Sequence, residues 1–153
     1  MANLARSTVT IDGTKFDAAS CSVSVNTLTD NKGMPEMGSM TTAIRVLADF
    51  HDEQNLPNAS LKKFFDLANV VTRDKIKEIK IEFWKDENKQ DALCSYKFKG
   101  WISRFETANP MATFVPGSSG TDTSPHSTIN HLLLLDLQPA MNQQNYTELS
   151  IGN

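Results

Sequence analysis

The sequence predicts a mainly β protein: a small antiparallel β-barrel with one α-helix. Most of the chain alternates apolar and polar residues, which is typical of strands with one buried face. Only residues 58–71 place apolar side chains at the spacing of a helix. Gly100 interrupts a long alternating segment and favours a bend that curls the sheet toward closure. With 153 residues we expect one core and a single domain over residues 1–153.

The first predicted elements are two strands, over residues 8–11 and 16–25. Asp12 and Gly13 lie between them, and this pair is favoured in tight hairpin turns because it tolerates positive φ. The chain is therefore expected to begin with a β-hairpin.

A long loop is predicted over residues 26–39, where Asn, Asp, Gly and Pro occur without sustained periodicity. Its length exceeds that of usual connections, so the loop is expected to be either functional or disordered. Alternation returns over residues 40–50, which predicts a strand. One face of that strand carries Ile44, Val46, Ala48 and Phe50.

The helix is expected to begin after Pro57, where Asn58 or Ser60 can cap the free amide groups. Apolar residues then recur at helical spacing, which predicts a face packed against the core. The stripe consists of Leu61, Phe64, Phe65, Ala68 and Val71. Contact of this aromatic stripe with a partner is the alternative to burial in the core.

The next two segments, KIKEIKIEFW and LCSYKFKGWISRF, predict a hairpin whose turn covers residues 85–91. One face of each strand is apolar and the other is charged or polar, so the period of two is clear. The expected core positions are Ile79, Ile81, Phe83, Cys94, Tyr96 and Phe98. The charged face predicts a solvated surface with cross-strand ion pairs of well under ~1 kcal/mol each.

A second long loop is expected over residues 108–127, followed by a leucine-rich strand over residues 129–137 and a short last strand over residues 146–151. Both faces of the leucine-rich strand are apolar. One face carries Leu133, Leu135 and Leu137, and the other carries Leu132 and Leu134. Both faces must be covered, so either the helix or another subunit is expected to lie over Leu132 and Leu134.

No residues form a recognisable catalytic, cofactor-binding or metal site. The three histidines, His51, His126 and His131, are too dispersed to suggest a metal ligand set. Asp49, His51 and Asp52 cluster near a strand end, but no nucleophile motif such as GxSxG accompanies them, which favours a solvated loop. No glycine motif for nucleotide phosphates occurs. We therefore predict a protein that is not an enzyme and has no cofactor.

Charge and apolar content exclude several other classes. Fifteen basic and 18 acidic residues give a net charge of −3, so no basic field is available for nucleic acid. The longest apolar run, residues 132–135, is too short to cross a membrane, and no signal-peptide pattern precedes the first strand. We expect a cytosolic protein with Cys21 and Cys94 as reduced, buried thiols; a disulfide between neighbouring strands is the alternative.

The order of these patterns resembles the tube protein of the bacterial type VI secretion system, the Hcp family, with its relatives among contractile phage tail tubes. The resemblance rests on a first hairpin, the loop KGMPEMGSM, the strand TTAIRVLADF and the helix LKKFFDLANVV. The central hairpin and the segment NHLLLLDLQPA complete it.

The resemblance implies hexameric rings whose sheets join around the ring and which stack into a tube inside a contractile sheath. The loop over residues 27–39 would reach the neighbouring ring, with Lys32, Gly33, Met34, Pro35 and Glu36 at its centre. Independently of the resemblance, Leu132 and Leu134 are the candidate subunit-interface residues, because the second apolar face of their strand needs a cover. Implied partners are sheath, baseplate and spike proteins, and effectors in the lumen. The tube protein would leave the bacterial cytoplasm for the medium or a target cell without a cleaved signal peptide.

Two alternatives stay open. A phage-type tail tube would share the architecture, and neighbouring genes for sheath, baseplate and spike would separate the two machines. A monomeric barrel that encloses a small apolar ligand is the alternative from a different class. Its cavity would be lined by Ile79, Phe83, Tyr96, Phe98 and the leucines.

Overall fold

A computed structural model describes residues 7–86, 88–109, 131–140 and 150–152. These residues form eight strands, one α-helix and a short 3-10 helix at Arg73–Lys75. The elements are β1 (Ser7–Ile11), β2 (Thr14–Ala18), β3 (Ser20–Asn26), β4 (Thr41–Asp49), α1 (Asn58–Ala68), β5 (Lys77–Trp84), β6 (Ala92–Ala108), β7 (Leu132–Pro139) and β8 (Ser150–Gly152). The predicted mainly β class with one helix is confirmed. Residues 110–127 of the predicted second loop, including His126, lie outside the described residues.

All strand pairings are antiparallel, in the order β2-β1-β5-β6-β7-β4-β3, with β8 added beside β6. The two strands at the ends of this order, β2 and β3, are separated by Ala19 alone. The Ala19 N–H donates to the Leu47 carbonyl of β4 at 2.8 Å. The sheet therefore closes on itself as a barrel. The segment predicted as one strand over residues 16–25 is two strands, because its first part pairs with β1 and its second with β4.

The long strand β6 joins the two halves of the barrel. Its first part pairs with β5 and its second part with β7, and Gly100 lies where the two pairings meet, opposite Lys77 and Pro139. A Cβ at Gly100 would lie only 2.2 Å from the Gln138 carbonyl oxygen. Contrary to prediction, Gly100 does not interrupt the strand; the irregular register lies between Ile102 and Arg104. Glycine is needed here because two backbones approach closely.

One apolar core fills the inside of the barrel. Phe64 of α1 packs on Phe16 of β2 with ring centroids 5.3 Å apart, and this contact seats the helix on the core. The fully buried large side chains are Phe16, Phe64, Ile11, Ile44, Leu56, Ile79, Ile81, Ile102, Leu133, Leu135, Leu137 and Val9. The predicted inward faces of β4, β5 and β7 are thus confirmed, with two exceptions: Phe50 lies just beyond β4, and both Phe50 and Phe83 are only half-buried.

The helix differs from prediction at both ends. No side chain caps its N-terminus, where Pro57 rather than Asn58 or Ser60 is the cap residue. At the other end α1 stops at Ala68, because Lys75 Nζ donates to the carbonyl oxygens of Asp66 and Asn69 and the chain turns away. Of the predicted buried stripe, Val71 lies beyond the helix and is exposed, and Phe65 is exposed within it.

Asn55 protects the open side of β2. Its side-chain Oδ1 accepts the Asp17 N–H at 2.7 Å, and its Nδ2 donates to the Asp17 carbonyl at 2.8 Å. The amide therefore takes the place that a neighbouring strand would occupy along this edge.

We predict that Asn55→Ala lowers the free energy of unfolding by about 2 kcal/mol, because two backbone groups of Asp17 lose their partner. Asn55→Asp keeps an acceptor for the N–H but cannot donate to the carbonyl, so it should fall between wild type and alanine. Urea unfolding followed by tryptophan fluorescence measures both. Equal stability of the three proteins would mean that Asn55 does not hold this edge.

The charged face of the central hairpin is solvated, as predicted. Lys97 Nζ lies 3.0 Å from Glu78 Oε1, and Lys80 Nζ lies 3.5 Å from Glu82 Oε2. Lys80 and Lys97 lie directly opposite each other on β5 and β6, and each pairs with a different glutamate, which offsets the repulsion between their charges. The outer wall of the barrel is therefore polar and close to balanced in charge at this place.

Candidate functional site

The loop between β3 and β4 has its own hydrogen-bonded structure. Thr29 and Pro35 form an isolated β-bridge, and the Glu36 N–H donates to the Leu28 carbonyl at 2.8 Å. At the tip, the Asp30 carboxylate accepts the N–H groups of Lys32 and Met34, both at 2.9 Å. Such Asx-type contacts fix a turn within a short segment. The loop is thus an ordered extension of the β3–β4 hairpin.

Glycine is required at the turn of this tip. Gly33 has φ of 79°, which side chains rarely adopt, and its N–H donates to the Asp30 carbonyl at 3.0 Å. All five residues predicted for contact between rings lie here and are exposed: Lys32, Gly33, Met34, Pro35 and Glu36. Their role in a contact between rings stays a prediction.

The loop exposes three large apolar side chains, of which the sequence analysis singled out only Met34. Met37 is 90% exposed and Met34 is 60% exposed, and Leu28 is also exposed. We call these three residues the loop patch. Sequence periodicity could not find Leu28 and Met37, because a loop without regular alternation gives no signal for which side chains are buried. An ordered loop that holds large apolar side chains in water is typical of an interaction surface.

The β3 strand has one unpaired edge in the described part of the chain. The Phe50 N–H donates to the His131 carbonyl. Backbone groups alternate along a strand, so the N–H and C=O groups of the even-numbered β4 residues face β7 and those of the odd-numbered residues face β3. The β3 residues whose backbone groups face β4 are therefore Ser20, Ser22, Ser24 and Asn26. The N–H and C=O groups at positions 21, 23 and 25 face the opposite edge. No strand among residues 7–86, 88–109, 131–140 and 150–152 pairs there.

This edge lacks the usual protection against pairing. The β3 sequence SCSVSVN carries no charge and no proline, and Val25 is 51% exposed. Lysine, proline or a covering side chain normally blocks such an edge. The edge of β2, by contrast, is covered by the Asn55 side chain.

The leucine-rich strand β7 presents two different faces. Leu133, Leu135 and Leu137 are fully buried in the core, whereas Leu132 and Leu134 point to the other face and are half-buried. The helix packs on the core side, through Phe64 and the residues around it. The structure therefore does not place α1 over Leu132 and Leu134, and their role at a subunit interface stays a prediction.

Both cysteines are free, as expected for reduced thiols, and each is half-buried rather than fully buried. Cys21 lies on β3 with its side chain against the core, and burial raises its pKa to about 12. A thiol alkylates only as the thiolate, so a raised pKa slows the reaction.

We predict that iodoacetamide at pH 8 modifies Cys21 at least tenfold more slowly in the folded protein than in urea, and that the rate in the folded protein still rises between pH 8 and pH 10. Peptide mass spectrometry follows the modification of Cys21. Equal rates in folded and unfolded protein would show that the thiol is not buried.

The carboxylates near the end of β4 contact backbone groups of their own loop. The Asp49 carboxylate accepts the His51 N–H, and the Asp52 carboxylate accepts the N–H groups of Gln54 and Asn55. These carboxylates thus shape their own loop. The rings of His51 and His131 stack with centroids 4.9 Å apart, a contact that no sequence pattern indicates.

Neither a cluster of metal-ligating side chains nor a membrane-spanning helix is present among the described residues. No group of three or more His, Cys, Asp or Glu side chains is arranged to hold a metal ion in this part of the chain. None of the helices described here has the length and apolar character needed to cross a membrane.

Comparison with known proteins gives matches in structure alone. No family model and no curated protein matches the sequence. Hcp1 from Flavobacterium johnsoniae has a TM-score of 0.57 and 13% identity, over 98% of this chain and 95% of the other. A crystal structure of an Hcp protein has a TM-score of 0.56 and 12% identity, over 96% of both chains. A mutant Hcp1 from the E. coli EAEC 042 pathovar has a TM-score of 0.58 and 8% identity, over 97% of both. The chain therefore has the Hcp fold, as the order of its sequence patterns predicts.

Proposed function

We propose that this protein is a structural subunit of a type VI secretion tube, which forms hexameric rings that stack inside a contractile sheath. The observation that carries the proposal is the open, uncharged edge of β3, in a chain whose fold is that of Hcp proteins. An edge of this kind binds another strand through backbone hydrogen bonds.

A ring needs two different edges, because a head-to-tail contact closes only when each subunit uses both. The far side of the short strand β8 is the second edge in the described chain, beside residues 95–97 of β6. Ile151 of β8 is exposed there. We infer that β3 of one subunit joins the β8 side of the next, so that the sheets continue around the ring.

The stacking of rings depends, in this proposal, on the loop patch. The loop is already ordered by Asp30 and by the Thr29–Pro35 bridge, so little conformational entropy is lost when a neighbouring ring binds it. Burial of Met34 and Met37 would supply the favourable hydrophobic term.

The enzyme and ligand-barrel alternatives have less support. Ile79 and Phe98, which would have to line a ligand cavity, are packed with the β7 leucines in the core. The carboxylates near His51 are engaged with backbone N–H groups of their own loop. In the proposed function the polar outer faces give the tube a wall that does not adhere to proteins moving past it.

The proposal includes sheath, baseplate and spike proteins as partners, effector proteins in the lumen, and release from the bacterial cytoplasm upon contraction. Binding of this protein to each of those partners follows only if it forms a tube. Tube formation is therefore the property to test first.

Electron microscopy of the purified protein at high concentration tests the proposed function. Six-membered rings and stacked tubes are expected. Single particles of one barrel at every concentration would contradict the proposal and favour a monomeric function.

We further predict that Met34→Ser with Met37→Ser leaves rings intact but raises the concentration needed for tube formation about tenfold or more, because apolar area at the contact is lost. Lys32→Gln is the matched control on the same tip, and it should form tubes at the wild-type concentration. Sedimentation of tubes over a concentration series gives the midpoint. Normal stacking of the double mutant would exclude the loop patch from the contact.

A further inference from the structure

We propose that the surface receiving the loop patch of a second copy is the exposed apolar end of α1, formed by Phe65, Val70 and Val71. We call these three residues the helix-end patch. The inference rests on the proposed function, since it names the surface that the stacking loop binds. All three side chains are exposed, and Val70 is 76% exposed.

The two patches lie at opposite ends of the barrel. β4 leaves the loop at Thr41 and ends at Asp49, which lies level with Ala108 through β7. The helix follows β4 and packs Phe65 against Phe105, three residues from Ala108, with ring centroids 5.6 Å apart. The helix-end patch is thus at the end of the barrel where β4 finishes, and the loop patch is at the end where β4 starts.

Placement at opposite ends is what head-to-tail stacking requires. All copies in a head-to-tail stack have the same orientation, so a patch at one end cannot contact the identical patch of the next copy. It can contact a different patch at the opposite end of that copy. Each of the two patches consists of three exposed apolar residues, so contact between them would bury apolar area on both copies. A second copy of this chain is therefore the occupant that fits, rather than an unrelated apolar ligand.

The backbone at the helix end indicates that apolar side chains are needed there. Val70 has φ of 51°, a left-handed conformation that is unusual for a β-branched residue and that Gly or Asn adopts at lower cost. The chain holds this conformation next to Asn69, whose carbonyl accepts Lys75 Nζ. The strained valine is exposed, so packing within the subunit does not account for it. Burial of its side chain against a second copy would account for an apolar residue at this position.

Photo-crosslinking from the loop patch tests this inference. A benzophenone amino acid replaces Met37, and tubes assembled from a mixture of unlabelled and 15N-labelled copies are irradiated and digested with trypsin. Cleavage after Lys63 and Arg73 gives one peptide, residues 64–73, that contains the whole helix-end patch. We expect links from position 37 to this peptide, joining labelled and unlabelled chains, in stacked tubes and not in separate rings.

Two contrary results are distinguishable. Tubes that form with links only to other peptides would overturn this inference and leave the proposed function standing. Absence of rings in electron micrographs of the unmodified protein would instead overturn the proposed function, and this inference with it.

A substitution that suits the backbone gives a second test. Val70→Asn should keep the fold, because Asn tolerates the left-handed conformation, yet raise the concentration needed for stacking about tenfold or more, through lost apolar contact. Val71→Leu keeps the patch apolar and is the control that should stack normally. Stacking of Val70→Asn at the wild-type concentration would overturn the inference.

Discussion

Gly100→Ala is expected to lower the free energy of unfolding by about 3 kcal/mol or to prevent folding. The new Cβ would lie 2.2 Å from the Gln138 carbonyl oxygen and 3.0 Å from Phe98 Cε2. The first contact is with backbone in β7, so it cannot be relieved by turning a side chain. β6 and β7 would have to separate where the two halves of the barrel meet.

Gly152→Ala is the matched control, since it adds the same methyl group in strand β8 with no atom within 4 Å of the new Cβ. Urea unfolding of both variants gives the comparison. Equal stability of Gly100→Ala and Gly152→Ala would show that β6 and β7 do not approach each other as closely as described.

Val25→Pro should abolish rings while the folded subunit remains. The Val25 N–H faces the open edge of β3, so proline removes a donor that the subunit itself does not use in the described structure. A neighbouring strand would lose this hydrogen bond and would meet the proline ring at the edge. The same hydrogen bond would be lost at each of the six interfaces, so the ring as a whole should not form.

Val25→Ala separates the backbone effect from the side chain, because it shortens the exposed valine but retains the N–H. Size-exclusion chromatography with light scattering should give rings for Val25→Ala and monomers for Val25→Pro, with similar circular dichroism spectra. Rings in Val25→Pro would show that β3 is not the edge that joins subunits.

The strands could be predicted from the sequence because each buries one face. Ile79 and Ile81 face the core while Lys80 faces water, and this alternation is visible without knowing any partner strand. Closure of the barrel could not be predicted in detail from the sequence. It depends on Ala19, where a segment with continuous alternation stops pairing with β1 and begins pairing with β4.

The features that sequence patterns missed depend on contacts between distant residues. Lys75 ends the helix early by binding Asp66 and Asn69, so the apolar spacing overestimated α1 by one turn. Asn55 covers Asp17 from 38 positions away, and no local rule assigns such a role.

The position of the loop between β3 and β4 could be predicted from the sequence, but its hydrogen-bonded structure could not. A lack of periodicity and the many turn residues located the loop, and Gly33 lies in the turn as expected. The order within the loop comes from the Asp30 carboxylate and the Thr29–Pro35 bridge, contacts that residue spacing does not reveal. The open edge of β3 appeared only once the strand pairings were known.

Native mass spectrometry of the full chain tests most directly the claim that this barrel works by assembly. We predict a dominant species of six times the 17.0 kDa chain mass at micromolar concentration, which Val25→Pro converts to single chains. A wild-type protein that stays monomeric at every concentration, with Val25→Pro indistinguishable from it, would contradict the account.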